Sequence, residues 1–222
     1  MKLLSALVAI SLLLAAAGCD KATGDGVRTY PYRIVTTVGM VGDIVRNVAG
    51  DEATVEGLLG EGVDPHLYKP TRDDVAALMR ADAIFYSGLM LEGKMAEALA
   101  SLARDGKPVY GVTERIDEQY LLRPADAEGH YDPHVWMDPA AWSKAVDAVA
   151  AALADLDKPN AAYYKANAAA YNKQIAELDS YARRVTSSIP KPQRVLVTAH
   201  DAFSYFGRAY DFEVLGIQGL ST

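Results

Sequence analysis

The chain has 222 residues, 22 Lys and Arg against 29 Asp and Glu, a formal net charge of -7 and 50% hydrophobic residues. Half-apolar composition at this length supports a packed core and excludes a disordered chain. An acidic balance without any run of Lys and Arg excludes a nucleic-acid partner, which would need clustered cations to track phosphates.

Met1 to Gly18 reads as a targeting segment, with Lys2 as the positive start and an apolar run from Leu3 to Ala17. That run is short for a bilayer span. It ends Ala16-Ala17-Gly18-Cys19, which resembles a bacterial lipoprotein signal, and Cys19 is the chain's one cysteine. Lipidation at Cys19 is therefore expected, with residues 19–32 as the tether; cleavage at Ala15 to Ala17 to release a soluble protein is the alternative. Either route exports the protein, and Asp20 resembles a signal for retention at the inner membrane. One cysteine also excludes an intramolecular disulfide.

Arg33 to Thr37 predicts a strand, and Met40, Val41, Ile44, Val45 and Val48 then follow helical spacing up to Gly50. Asp51 to Leu59 predicts a second strand. Thr71 and Asp74 form a candidate capping box for a helix over Arg72 to Arg80. Ala83 to Ser87 is a nearly all-apolar strand of the kind covered on both faces. A helix over Leu91 to Leu102 and a strand over Pro108 to Val112 follow. Alternation with short links predicts an α/β lobe with a mostly parallel sheet over residues 33–157. Ligands in such sheets gather at the carboxyl ends of the strands.

Thr113 to Tyr131 predicts a polar loop, and Pro139 to Leu156 an amphipathic helix with Trp142, Ala145, Val146, Val149 and Leu153 on one side. Asn160 is the predicted cap of a helical pattern reaching about Ser188, with Tyr164, Ala168, Tyr171, Ile175, Leu178 and Val185 as its apolar stripe. A rod of that length predicts a connector over residues 158–190 between two lobes. The α/β rhythm resumes in residues 191–222 with strand Arg194 to Ala199, helix Ala202 to Tyr210 and strand Glu213 to Gly219. Two strands and one helix leave an apolar face uncovered, so the second lobe is expected to be incomplete.

Three histidines stand at the ends of three elements. His66 lies in Val63-Asp64-Pro65-His66, His134 in Asp132-Pro133-His134-Val135-Trp136, and His200 closes the run from Val195. Proline on one or both sides stiffens the first two loops. Neutral imidazoles are preferred nitrogen donors for zinc and its neighbours, so His66, His134 and His200 are the candidate metal ligands. His130, four before His134, would pair with it only on a helix, which Pro133 disfavours, so it is read as solvated. Asp64, Asp132 and Asp201 are assigned turn or ligand-orienting roles. Tyr68, Trp136 and Phe203 are expected to wall the site.

With these motifs, and with Thr36-Thr37-Val38-Gly39-Met40 and Val197-Thr198-Ala199-His200-Asp201-Ala202-Phe203, the chain resembles the metal-binding lipoproteins of bacterial ABC importers, the cluster A-I solute-binding proteins. Within them it is most similar to TroA-like zinc and manganese receptors. The resemblance implies two α/β lobes joined by a rigid backbone helix, metal held between them, and little hinge closure. It also implies a permease and its ATPase as partners, a monomer, and a periplasmic or extracellular location at the cytoplasmic membrane, held by the lipid. The family's fourth ligand, a carboxylate far along the second lobe, would fall beyond Thr222.

Three imidazoles plus a carboxylate favour Zn2+ as cargo, with Mn2+ the alternative. No enzymatic activity is expected. A zinc-dependent hydrolase with an open fourth position is the competing reading, and the sequence offers neither a HExxH helix nor a serine elbow for it. An ordinary imidazole pKa of about 6.5 at all three ligands predicts that metal occupancy falls below that pH.

Overall fold

The computed structural model describes residues 30–124 and 129–218. The expected targeting segment 1–18, the lipidation site Cys19 and most of the tether lie outside the described residues, as do positions 125–128 of the polar loop and 219–222.

Strand β1 (Tyr32–Thr36) pairs in parallel with β2 (Ala53–Gly57) on one side and β3 (Ala83–Tyr86) on the other, and β3 pairs in parallel with β4 (Val109–Gly111). The sheet order is β2-β1-β3-β4. Ile34, Val35, Ala83, Ile84 and Phe85 have no exposed surface, which is why β3 reads as a nearly all-apolar run. Helix α1 (Gly39–Ala49) buries Val41, Ile44, Val45 and Val48, the spacing of one helical face, and stops where Gly50 takes φ 55°. Chain order reverses between β1 and β3, so the connections leaving their paired carboxyl ends run in opposite directions and leave a crevice above them.

Helix α2 (Arg72–Arg80) has the predicted bounds and the predicted capping box, with Thr71 and Asp74 each accepting from the other's backbone N–H. Helix α3 (Ala96–Arg104) starts five residues later than predicted. Gly88, Leu89 and Met90 all adopt positive φ, and the Glu92 carboxylate folds back to accept from the Ser87 and Gly88 N–H groups. Leu91 and Met95 still fill the core, but from turns rather than a helix face.

Helix α4 (Pro139–Leu156) begins at Asp138, whose side chain accepts from Ala140 and Ala141 N–H. Helix α5 (Ala161–Ser187) has 27 residues, or about 40 Å of length. Asn160 holds its cap position without capping: its amide donates instead to Asp157, Glu52 and the Tyr30 hydroxyl. Tyr164, Ala168 and Ile175 bury the first part of α5, which packs on α4 and α1. Tyr171 is partly buried against the same core, whereas Leu178 and Val185, farther along the predicted stripe, are 56% and 47% exposed.

Beyond α5, β5 (Val195–His200) pairs in parallel with β6 (Glu213–Gln218), and α6 (Ser204–Tyr210) connects them. Val197, Leu215 and Ile217 are exposed, and no described residue covers that face. The result is the predicted α/β architecture of parallel strands with one long helix between two sheets. Among the described residues, no helix is long and apolar enough to cross a membrane.

Candidate metal centre

The two Asp-Pro-His segments fold alike. The Asp64 carboxylate accepts from the His66 backbone N–H at 2.8 Å, and the Asp132 carboxylate accepts from the His134 backbone N–H at 2.9 Å. Each is a side-chain turn two residues long with a proline at its middle, a geometry that Asp favours and that Pro stiffens. Both turns project their imidazoles into the crevice above β1 and β3. His200 enters from the end of β5 on the other side.

The three rings converge. His134 Nε2 lies 3.3 Å from His66 Nε2 and 3.2 Å from His200 Nε2, and one ligand atom from each residue lies within 4.8 Å of the others. Tetrahedral nitrogens at the usual zinc distance of about 2.0–2.1 Å would be about 3.3–3.4 Å apart. The observed spacing is that of ligands around one small ion. His66 and His134 are buried, and His200 is half-buried.

His134 is oriented by its neighbour. Its Nδ1 lies 2.7 Å from Asp132 Oδ1, and because a carboxylate only accepts, Nδ1 carries the proton and Nε2 turns its lone pair to the centre. Asp132 is fully buried, and its other oxygen has no hydrogen-bond partner among the described residues. At His66, burial first and then the neighbouring His134 ring push the pKa from 6.5 down to about 4, against the pull of the Asp64 carboxylate. The expectation of an ordinary imidazole value at every ligand therefore fails at His66: a desolvated ring beside other imidazoles resists a proton.

The walls differ partly from prediction. Trp136 lines the crevice and meets the His134 ring edge-on at 5.2 Å between centroids. Tyr68 does not line it, because its hydroxyl donates to Asp74 in the α2 cap at 2.6 Å. Phe203 does not line it either; it sits at the start of α6. Met40, Leu59, Leu91 and Ala202 supply the apolar lining instead. His130 is exposed and outside the cluster, as expected.

Glu92 was not legible as a site-supporting residue. Its buried carboxylate accepts from the Thr37 hydroxyl, Ser87 N–H and Gly88 N–H, tying the ends of β1 and β3 together at the crevice floor. Burial raises its pKa, and the three hydrogen bonds oppose that rise.

The family model of the zinc-uptake complex component A, periplasmic (ZnuA), matches residues 34–222. The zinc-binding protein TroA of Treponema pallidum is 47% identical over 189 residues, 85% of this chain and 60% of that protein. The manganese-binding lipoprotein MntA of Bacillus subtilis is 39% identical over 205 residues, 92% of this chain and 66% of that protein. Among solved structures, the periplasmic zinc-binding protein TroA from Treponema pallidum matches with a TM-score of 0.82 at 46% identity, covering 86% of this chain and 68% of that one. Fe(III)-bound YtgA from Chlamydia trachomatis matches with a TM-score of 0.78 at 31% identity, covering 86% and 70%. The chain thus spans 60% and 66% of the length of the two curated relatives named here.

Proposed function

The chain belongs to the family of periplasmic zinc-uptake components A, and from that premise we propose that it captures a divalent first-row metal ion on His66, His134 and His200 and delivers it to a membrane permease. The observation that carries the reading is the spacing of the three Nε2 atoms, 3.2 and 3.3 Å across His134. In this reading residues 33–157 and 191–222 contribute to two lobes, residues 158–190 link them, and the ion is cargo held in the crevice.

Zinc is the favoured cargo. Three imidazoles suit a borderline-soft ion that accepts tetrahedral geometry, and intrinsic affinity for manganese is lower in the Irving-Williams order. TroA is named for zinc and MntA for manganese, so manganese is the second reading, taken up when it is the available ion. MntA, FimA and PsaA are named as lipoproteins, which supports Cys19 as the site of a lipid anchor on the outer face of the cytoplasmic membrane. FimA and PsaA are also named as substrate-binding components of ABC transporters, which supports a permease and its ATPase as partners; in this reading the receptor acts as a monomer. The hydrolase alternative is not favoured, since each of these relatives is named as a binding protein.

Competition with a chromophoric zinc chelator tests the proposal. Replacing His66 and His134 together with Ala is expected to abolish zinc capture by the chain; capture unchanged in that double variant removes the site.

A further inference from the structure

The loop that carries His134 is gripped at both ends by one helix. Tyr205, on α6, has no exposed surface. Its hydroxyl donates to the Asp132 carbonyl at 2.9 Å and accepts from Leu122 N–H at 3.0 Å. Arg208, three residues on and therefore on the same helix face, donates to the Asp138 carboxylate and to the Tyr120 carbonyl, both at 2.8 Å. Its guanidinium lies over the Tyr205 ring at 5.0 Å. Asp132 and Asp138 bracket the short segment that contains His134, and the Asp138 carboxylate also caps α4.

Helix α6 starts four residues after His200. A closed circuit results. It runs from His200 through the short link to α6, from Tyr205 to Asp132, from Asp132 Oδ1 to His134 Nδ1, and back across 3.2 Å from His134 Nε2 to His200 Nε2. No long segment interrupts it: three residues link His200 to α6, and the remaining steps are hydrogen-bond contacts.

Resting on the proposed metal site, we propose that Tyr205 and Arg208 are positioning residues for the ion: they clamp the Asp132-to-Asp138 loop to α6, preset the distance between His134 and His200, and slow the ion's release. Neither residue reaches the centre itself. An ion leaves when two of its ligands part, and parting His134 from His200 strains this clamp. Removing the Tyr205 hydroxyl would take the partner from a buried carbonyl and a partly buried N–H while leaving the ring in place, which isolates positioning from packing.

The test uses the 222-residue chain loaded with Zn2+ for kinetics and with Co2+ for optical spectra. Tyr205→Phe and Arg208→Ala are each expected to raise the zinc off-rate about tenfold with the on-rate nearly unchanged, and to weaken the visible bands of four-coordinate cobalt. Arg208→Lys, which keeps the charge but cannot span both acceptors, is expected to fall between Arg208→Ala and the parent. Parent-like off-rates and cobalt spectra in both Tyr205→Phe and Arg208→Ala overturn the clamp, even if melting temperatures fall, because the contacts then only stabilise the fold. If Tyr205→Phe does not fold, Arg208→Ala decides alone. Failure of the site reading is separate: it is seen as zinc retained by the His66 and His134 double variant.

Discussion

Acidification should destabilise the metal-free protein through His66 in a way that can be isolated. In the unfolded chain its imidazole titrates at about 6.5, whereas in the folded crevice burial and the His134 ring hold it near 4. The folded state therefore binds fewer protons than the unfolded state between these values. Stability present at neutral pH is lost as pH falls from about 6.5 toward 4 and levels off below that. Between pH 7 and pH 5 the loss works out at about 2 kcal/mol for this one group, and His66 is 9% exposed, so solvent offers little relief. Urea unfolding of the chelator-treated chain at the two pH values, compared with His66→Gln, which cannot titrate, reads the difference directly. The parent should lose about 2 kcal/mol more than the variant on acidification. Equal losses, within about 0.5 kcal/mol, would refute the argument that His66 is held neutral by its surroundings.

Asp132→Ala removes the acceptor for His134 Nδ1 and frees the ring to turn or to change tautomer; zinc affinity by chelator competition is expected to fall about 10–100-fold, with the far-UV spectrum retained. Thr71→Ala breaks the capping box of α2 away from the crevice, so unfolding should become easier by about 1 kcal/mol while zinc affinity stays at the parent value.

Much of the fold was legible because local chemistry and burial agree. Helices α2 and α4 have the predicted bounds, since Thr71 and Asp138 supply real caps, and β3 is apolar because it is buried on both faces. The misplaced start of α3 has the opposite cause. Leu91, Met95 and Leu99 keep helical spacing, but left-handed backbone at Gly88, Leu89 and Met90 and the inward carboxylate of Glu92 consume the first turns. Side-chain periodicity reports which residues are buried, not which backbone path buries them. The stripe on α5 shows the same limit: Tyr164 and Ile175 are buried where α5 packs on α1 and α4, while Leu178 and Val185, identical in pattern, stay about half exposed.

The candidate site exposes a sharper boundary between motif and environment. Asp64-Pro65-His66 and Asp132-Pro133-His134 are the same three residues in the same turn, so each histidine's position was readable from its neighbours. Their chemistry was not. Asp132 also reaches the ring of His134 and fixes which nitrogen faces the centre, a bond its fully buried position protects from water. For Asp64 the described bond is to the His66 backbone, and the net effect on His66 is a pKa pushed down by burial. One ring is thus oriented by a carboxylate that fixes its tautomer and the other kept uncharged by desolvation, and an uncharged imidazole always has one ring nitrogen free for a cation. What separates them is the partner that closes over each turn: Tyr205, seventy-three residues along the chain from Asp132, seals the second, and apolar Leu59 and Leu91 line the crevice beside the first.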